Sequence, residues 1–337
     1  MQLRPALPLS LVSAFPVLSI VCAMAWSQGA LAQTGAAFPA RPVTLVVPFP
    51  PGGPSDALAR AVAQKMGEHL GQPLVIENLG GANGTIGLNQ ARKAAADGYT
   101  LSFGGIGTHV VNVALYRKLP YDPVADFAPV GPAGAAPMLL LARANLPASD
   151  LRQFAEWLKR NQAAASYGSA GVGSISHYGC VLLLSALGQS PTHVPYRGIA
   201  PAMNDLMGGQ TDFMCDQTTT ALPQIAGGRI KAIAVLGTQR LAQLPGTAAS
   251  AEAGHPLQAR SWNAIFAPRG TPPAVLARLT RSLQHAMGDA GLRAQMAALG
   301  VELPSPEQAV PATVSALIEQ GLRNDVPALK AKGQYLD

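Results

Sequence analysis

Three glycine-rich loops carry the residues of this sequence that could do chemistry. The first loop is PFPPGGPSD at 48–56, the second is GGANGTIG at 80–87, and the third is GSAGVGSISH at 168–177. Their glycines let backbone N–H groups come close to a ligand, and their serine, threonine and asparagine side chains add further donors. Each loop precedes a predicted helix, whose first N–H groups are unpaired and carry the positive end of the helix dipole. This combination is typical of a site for a small anion.

Each loop taken alone also has a purely structural interpretation as a capped helix start. Three such loops around one cleft favour the functional interpretation, but the sequence does not by itself bring them together. PPGGPSD matches neither GxGxxG nor GxxxxGK[ST], so no nucleotide-phosphate motif is present. Small oxyanions bound by neutral donors remain, and carboxylates are the natural candidates.

Catalytic and metal chemistry find weaker support. YGSAG has Tyr167 where a nucleophile elbow requires glycine, and the sequence contains no CxxC and no HExxH. His177 and Cys180 lie one helical turn apart in an apolar stretch, which favours packing over a thiol–imidazole pair. We therefore predict a protein with no metal and no cofactor. For Cys180 and Cys215 we prefer buried free thiols, with a disulfide as the alternative.

The elements that must position these loops follow an alternating order. Apolar residues at i, i+4 spacing predict helices over 55–70 and 150–160, and amphipathic helices are predicted again after residue 270. Strand–helix alternation predicts an α/β fold with parallel strands and right-handed crossovers. The predicted strands span 43–49, 73–78, 99–104, 136–143, 166–169, 192–196, 211–215, 230–236 and 263–268.

The middle of the chain, 138–259, looks like a complete α/β unit by itself. The segments 38–137 and 260–337 would then form one discontinuous lobe, joined to the middle by two crossings near 137 and 260. Two lobes with two connections form a hinge that can close around a ligand.

Residues 1–32 are predicted to be a cleavable signal peptide. The apolar run LVSAFPVLSIVCAMAW is followed by a small-x-small site that ends at Ala32. A membrane anchor is the alternative, but Pro16 and the shortness of the run argue against it. We therefore expect export to the periplasm.

Charge and composition exclude little except nucleic acid. The net charge of the chain is +6 and aromatic residues make up 5% of it, with no block of Lys and Arg. A nucleic-acid site requires a clustered basic stripe with stacking residues. The mild positive charge fits both an anionic small ligand and an ordinary soluble surface.

An ordered set of motifs resembles one family. PFPPGGPSDALAR, GGANGTIG, DGYTL, LPYDPVADFAPV, SYGSAGVGSISH, HVPYRG, DLMGGQTDFMCD, GGRIKAIAV, EAG and FAPRGTP look like the successive motifs of the periplasmic receptors of tripartite tricarboxylate transporters (Bug-type receptors). The resemblance runs from about residue 38 to 320. It implies a two-lobe periplasmic-binding-protein (Venus-flytrap) architecture, each lobe a mostly parallel sheet flanked by helices.

The resemblance also implies a set of ligand-binding residues. A carboxylate would be gripped by the first two loops, with Thr108 lining the same wall, and the third loop and a strand end would select the rest of the ligand. Arg197, in VPYRG, is left out as a surface arginine. The predicted ligand-binding residues are Phe49, Pro50, Gly53, Ser55, Asn83, Gly84, Thr85, Thr108, Ser169, Gly171, Ser174, His177 and Asp216.

Two of these residues keep an alternative interpretation. His177 could instead hydrogen-bond a neighbouring strand as a neutral imidazole. Asp216 would repel a second carboxylate unless it is protonated or turned away, and could instead meet an amino or hydroxyl group. CVLLLSAL after His177 contains no charge where the family often has an acid.

The predicted function is that of an extracytoplasmic receptor, monomeric, that closes on a small organic anion and delivers it to membrane permease subunits. A binding protein that signals through a membrane sensor is the alternative. An exported enzyme ranks below both. The sequence does not identify the carboxylate.

Overall fold

The computed structural model of the protein describes residues 1–2 and 38–331. The predicted signal peptide therefore lies outside the described residues, apart from its first two. Two compact units are distinguished, Met1–Ala40 and Arg41–Asp337, and every helix and strand described below belongs to the second. Among the described residues, no helix combines the length and the apolar character that crossing a membrane requires.

The second unit alternates strands and helices, as the sequence predicts. The strands are β1 (Val43–Val47), β2 (Leu74–Asn78), β3 (Thr100–Gly105), β4 (Phe127–Arg143), β5 (Ser166–Ser169), β6 (Thr192–Pro195), β7 (Phe213–Gln217), β8 (Ile230–Val235) and β9 (Arg260–Pro268). The helices are α1 (Pro54–Leu70), α2 (Thr85–Ala91), α3 (Asn112–Leu115), α4 (Leu151–Asn161), α5 (Ile175–Leu187), α6 (Ile199–Met207), α7 (Thr218–Ala226), α8 (Pro273–Gly288), α9 (Ala290–Ala298) and α10 (Pro311–Lys330). The α/β class is confirmed.

The described strands follow the order β2-β1-β3-β9-β4-β7-β5-β6, with β8 paired to β4. β1 is parallel to β2 and β3, and β5 is parallel to β6 and β7. β9 and β4 run antiparallel to their neighbours. The parallel strands thus form two groups, and the two long antiparallel strands lie between them.

β4 is longer than the sequence predicts, because it starts at Phe127 instead of residue 136. Its first part contains prolines that cannot donate ladder hydrogen bonds and therefore hide a strand from pattern reading. The register shifts between Pro129 and Gly131 and between Pro132 and Gly134 accommodate these prolines as bulges. β4 pairs with β9 as far as Pro137, and beyond that residue it pairs with β7 and β8.

Helix α1 shows how the sequence fixes an element. Pro54 stands at its first position, where a missing N–H costs nothing, and Gly71 ends it with φ of 76°. Leu58, Val62 and Met66 are buried along one face, which packs the helix against the rest of the unit. The first loop therefore ends in a rigid helix start.

The apolar core lies on both faces of β4. Met138 and Leu140 belong to one buried cluster with Phe154, whereas Leu139 and Leu141 belong to another. This alternation is the period of two that a strand imposes on its side chains. Burial on both faces explains the unbroken apolar run in the sequence.

Cys180 and Cys215 form a disulfide, with their Cα atoms 5.3 Å apart. The preference for free thiols is therefore wrong. α5 packs on β7, and this packing brings two buried cysteines 35 residues apart in the chain within bonding distance. Sequence spacing alone carries no information on that approach.

Candidate functional site

A cleft of about 880 Å³ lies beyond the carboxyl ends of the parallel strands. The residues that follow β1, β2, β3, β5 and β6, together with the last residues of β7, line it. The start of β9 contributes Ser261, Trp262 and Asn263. Open α/β sheets bind ligands at this edge, because the loops that leave the strands there lead into helix N-termini.

Five helix starts line the cleft. They belong to α1 at Gly53, α2 at Gly84, α5 at Ser174, α6 at Gly198 and α7 at Gln217. Only the start of α5 has a side-chain cap, in which the Ser174 hydroxyl accepts from the backbone N–H of His177. The uncapped starts leave N–H groups and positive dipole ends near the cleft, where an anion would be stabilised.

The first loop is held in place by Asp56, which is 4% exposed. Its carboxylate accepts from the Gly52 backbone N–H at 2.9 Å and from Arg60 at 3.0 Å. Asn78 donates to the same carboxylate at 2.9 Å and to the Phe49 carbonyl at 3.1 Å. Burial opposes ionisation of Asp56, but the hydrogen bonds from Arg60, Gly52 and Asn78 together lower its pKa. The loop is therefore preorganised.

The second loop owes its shape to Asn83, which has a left-handed backbone with φ of 50°. The Asn83 amide donates to the Asn112 side-chain oxygen at 2.6 Å, and the Asn112 amide donates back to the Asn83 carbonyl at 3.1 Å. Asn83 also donates to the carbonyl of Gly173 in the third loop at 2.8 Å. The second and third loops thus touch across the cleft.

The wall of the cleft at Thr108 is rigid. The Thr108 hydroxyl accepts from the Gly105 backbone N–H at 3.0 Å, and the Tyr121 hydroxyl donates to the Thr108 carbonyl at 2.6 Å. Gly84 has φ of 84°, and a Cβ there would lie 2.9 Å from the Thr108 methyl group. Behind this wall, burial lowers the pKa of His109 to about 3, so its imidazole is neutral.

The third loop is supported from behind by two histidines. The Ser169 hydroxyl lies 2.7 Å from Nε2 of His193, and the backbone N–H of Gly173 donates to Nδ1 of His177 at 3.2 Å. The two imidazole rings stack with their centroids 4.3 Å apart. Burial, with a contribution from the neighbouring His193, lowers the pKa of His177 to about 4. Burial also lowers the pKa of His193, so both rings act as neutral supports of the loop.

Two side chains that line the cleft carry opposite formal charges. Arg197 is exposed on the loop between β6 and α6. Asp216 is 2% exposed at the end of β7 and accepts a hydrogen bond from the Thr220 hydroxyl. Burial raises the pKa of the Asp216 carboxyl to about 7, although its hydrogen bonds from Thr220 and the Gln217 backbone oppose the shift. Asp216 can therefore be neutral or ionised near neutral pH.

Most of the predicted ligand-binding residues lie together on the cleft, although their contact with a ligand stays a prediction. Those that line it are Phe49, Pro50, Gly53, Ser55, Asn83, Gly84, Thr108, Gly171, Ser174 and Asp216. Thr85, Ser169 and His177 do not line it. Thr85 is 4% exposed and donates to the Ala82 carbonyl, while Ser169 and His177 bind the third loop as described above. These three shape the loops from behind.

Sequence reasoning missed several residues of the cleft. Ser176 forms part of one wall, and its hydroxyl accepts from the backbone N–H of Ala170 at 2.8 Å. Tyr196 also lines the cleft, and its hydroxyl donates to the Asp205 carboxylate at 2.6 Å. Ser176 and Tyr196 stand in the quoted motifs, so the sequence did contain a signal for them. Trp262 and Asn263 come from β9, far along the chain from the three loops, and no local signal points to them.

Comparisons with known proteins agree on one family. The model described as "Tripartite tricarboxylate transporter family receptor" matches residues 58–322. A UPF0065 protein from the ttuE–ttuC' intergenic region of Agrobacterium vitis is 38% identical over 285 residues, which are 84% of this chain and 82% of that protein.

Solved structures show the same fold. MatC from Rhodopseudomonas palustris with bound malate has a TM-score of 0.83 at 39% identity, covering 87% of this chain and 100% of that one. The periplasmic binding protein BugD has a TM-score of 0.84 at 38% identity, covering 88% and 99%. R. palustris Rpa4515 with adipate has a TM-score of 0.82 at 32% identity, covering 87% and 98%.

Proposed function

The chain belongs to the tripartite tricarboxylate transporter family receptors, and from this premise we propose that it binds a small organic carboxylate outside the cytoplasm for delivery to a membrane permease. The family and the fold are those of solute-binding receptors. The chemical class of the ligand, the permease and the monomeric state are parts of the proposal.

The observation that carries the proposal is the convergence of helix starts on one cleft. Uncapped N-termini of α1, α6 and α7 supply neutral donors and positive dipole ends without a metal ligand set nearby. Among the described residues, no three His, Cys, Asp or Glu side chains come together as a metal site. A carboxylate gripped by several N–H and hydroxyl groups gains charge-assisted hydrogen bonds that offset its desolvation.

The similar proteins with bound ligands support the same class of ligand. MatC holds malate and Rpa4515 holds adipate, and both are dicarboxylates. A thiol enzyme based on Cys180 is not part of the proposal, since the sulfur of Cys180 is bonded to Cys215.

The proposal includes two lobes, 38–137 with 260–337 and 138–259, that close on the ligand. It is supported by β4, which changes its pairing partners after Pro137, and by β9, which begins at Arg260. These two strands would be the connections at which the lobes rotate. A receptor of this kind signals its loaded state to the permease through closure.

The proposal is tested by thermal unfolding against a panel of mono-, di- and tricarboxylates. A ligand at a hundred times its Kd adds about 2.7 kcal/mol to the unfolding free energy, so the expected result is a rise of a few degrees for one subset of the panel. Gly53→Val is expected to abolish that rise, because a side chain there would enter the cleft between Pro50 and Ile199.

The backbone of Gly53 has φ of −85°, and its added Cβ would make only ordinary contacts, at 3.6 Å or more. The variant should therefore fold. Gly246→Val, at an open position outside the cleft, is the matched control and should keep the rise. A flat panel for the wild-type protein, or a full rise in Gly53→Val, would overturn the carboxylate grip.

A further inference from the structure

Arg197 and Asp216 are the only Arg, Lys, Asp or Glu among the described residues that line the cleft. The guanidinium of Arg197 has no hydrogen bond or ion pair with another described residue. Arg residues on open surfaces are usually solvated or paired. Here an unpaired guanidinium lines a cleft whose other walls offer mainly neutral groups. Its planar set of N–H donors can make two parallel hydrogen bonds to one carboxylate.

Asp216 differs from Arg197 in burial and in partners. The residue lines the cleft and is 2% exposed, and the Thr220 hydroxyl donates to its carboxylate. No cationic side chain faces it among the described residues. A buried carboxyl with spare acceptor capacity is costly unless something else donates to it. A donor group on the ligand would satisfy it.

The topology places the two side chains at the ends of different strands. Gly168 of β5 pairs with Met214 of β7 on one side and with Val194 of β6 on the other. Adjacent strands lie about 4.8 Å apart, so β7 and β6 lie roughly 10 Å apart across β5. Asp216 and Arg197 follow Met214 and Val194 by two and three residues toward the same edge. They therefore address different parts of one ligand.

Resting on the proposed function, we propose that Arg197 binds the second carboxylate of the ligand while Asp216 accepts a hydrogen bond from a hydroxyl or ammonium group between the two carboxylates. The first carboxylate lies at the first and second loops, beside the uncapped start of α1. The class of ligand is then a short dicarboxylate with a donor substituent. Each polar contact rejects an analogue that lacks the matching group, because the site's own group is left unpaired.

The test is isothermal titration of the protein with four probes that differ by one group at a time. Butyrate has one carboxylate, succinate has two, malate adds a hydroxyl and aspartate adds an ammonium. The variants are Arg197→Gln and Asp216→Asn, and Arg229→Gln is the matched control, an exposed arginine outside the cleft.

Arg197→Gln is expected to weaken the binding of succinate and malate by about tenfold or more, and that of butyrate by less than about threefold. A tenfold change in Kd corresponds to about 1.4 kcal/mol. Asp216→Asn is expected to reduce the preference for malate or aspartate over succinate by about tenfold. Arg229→Gln should match the wild type with all four probes.

The outcomes separate this inference from the proposed function. If the wild-type protein binds dicarboxylates but Arg197→Gln behaves like Arg229→Gln, or if Asp216→Asn keeps the full preference, the inference is wrong and the receptor proposal stands. If the wild-type protein binds none of the four probes but binds another carboxylate of the thermal-unfolding panel, the inference fails and the receptor proposal stands. If it binds no carboxylate of either set, the proposed function fails and the inference fails with it. The two selective changes stated above, with a circular dichroism spectrum of the native form in both cleft variants, support the inference.

Discussion

At the scale of residues, the cleft is built from neutral groups, one exposed arginine and one buried acid. Asp216 pairs with Leu139 of β4, and no neighbouring charge is among the causes of its shifted pKa. Burial is the first cause of its raised pKa of about 7. Burial therefore lowers the stability of the ligand-free protein whenever Asp216 is ionised.

The pH dependence of stability should show this cost. In the unfolded chain the Asp216 carboxyl has its ordinary pKa of 3.8, so between about pH 4 and pH 7 the folded state holds a proton that the unfolded state has lost. Stability from this group is therefore complete below pH 4 and declines as pH rises to 7, by at most about 1.4 kcal/mol per pH unit.

Asp216→Asn removes this group from the titration. We expect the unfolding free energy of the variant, measured by urea denaturation, to gain on that of the wild type as pH rises from 5 to 8. The difference between the two proteins removes the contributions of His109 and His177, which both proteins contain. The lowered pKa values of these histidines act in the opposite direction and reduce the free energy of unfolding in acid. If the free energies of unfolding of the two proteins changed in parallel with pH, a buried Asp216 with a raised pKa would be contradicted.

At the scale of elements, the disulfide joins two elements that both end at the cleft. Cys180 lies in α5, which begins at Ser174, and Cys215 lies directly before Asp216 in β7. The bond therefore fixes the third loop relative to the floor of the cleft. Its effect on the free energy of unfolding can be estimated from the length of the closed loop.

Replacing both cysteines with alanine should cost about 3–4 kcal/mol of unfolding free energy, the value for a loop of 35 residues. Urea denaturation with and without a reductant measures it, because the reductant should destabilise the wild type and leave the double variant unchanged. A loss below about 1 kcal/mol, or an equal effect of reductant on both proteins, would contradict this assignment.

At the scale of the whole molecule, contacts bridge the cleft between the two proposed lobes. Asn83 donates to the Gly173 carbonyl, and a Cβ on Gly198 would lie 3.1 Å from Pro50. Ile86 and Val172, next to these contacts on the two sides, are 54% and 46% exposed. They are suitable positions for probes of closure.

Spin labels on Ile86→Cys and Val172→Cys, in a Cys22→Ser background, should give a shorter and narrower distance distribution when a binding carboxylate is added. Labels on Val75→Cys and Val124→Cys are the control, since both positions are exposed and belong to the same proposed lobe. That distance should not change. A ligand that binds but leaves the Ile86–Val172 distribution unaltered would contradict closure between the proposed lobes.

The sequence determined what local chemistry controls. Periodicity gave α1 its buried face, Pro54 and Gly71 marked its ends, and the glycines of the three loops marked loops that line the cleft, because these features depend on neighbouring residues only. Most of the predicted site residues consequently line the cleft. The proline-rich first part of β4 escaped prediction, since only its bulges and the partner strand β9 make it a strand.

Only the tertiary structure decided which groups meet across long stretches of chain. It joined Cys180 to Cys215, placed Trp262 on the cleft, and moved His177 from the ligand side to the back of its loop. It also turned Arg197 from a surface arginine into a cleft residue. These outcomes depend on distances between distant segments, and those distances are set by how helices pack on the sheet and not by any local run of residues.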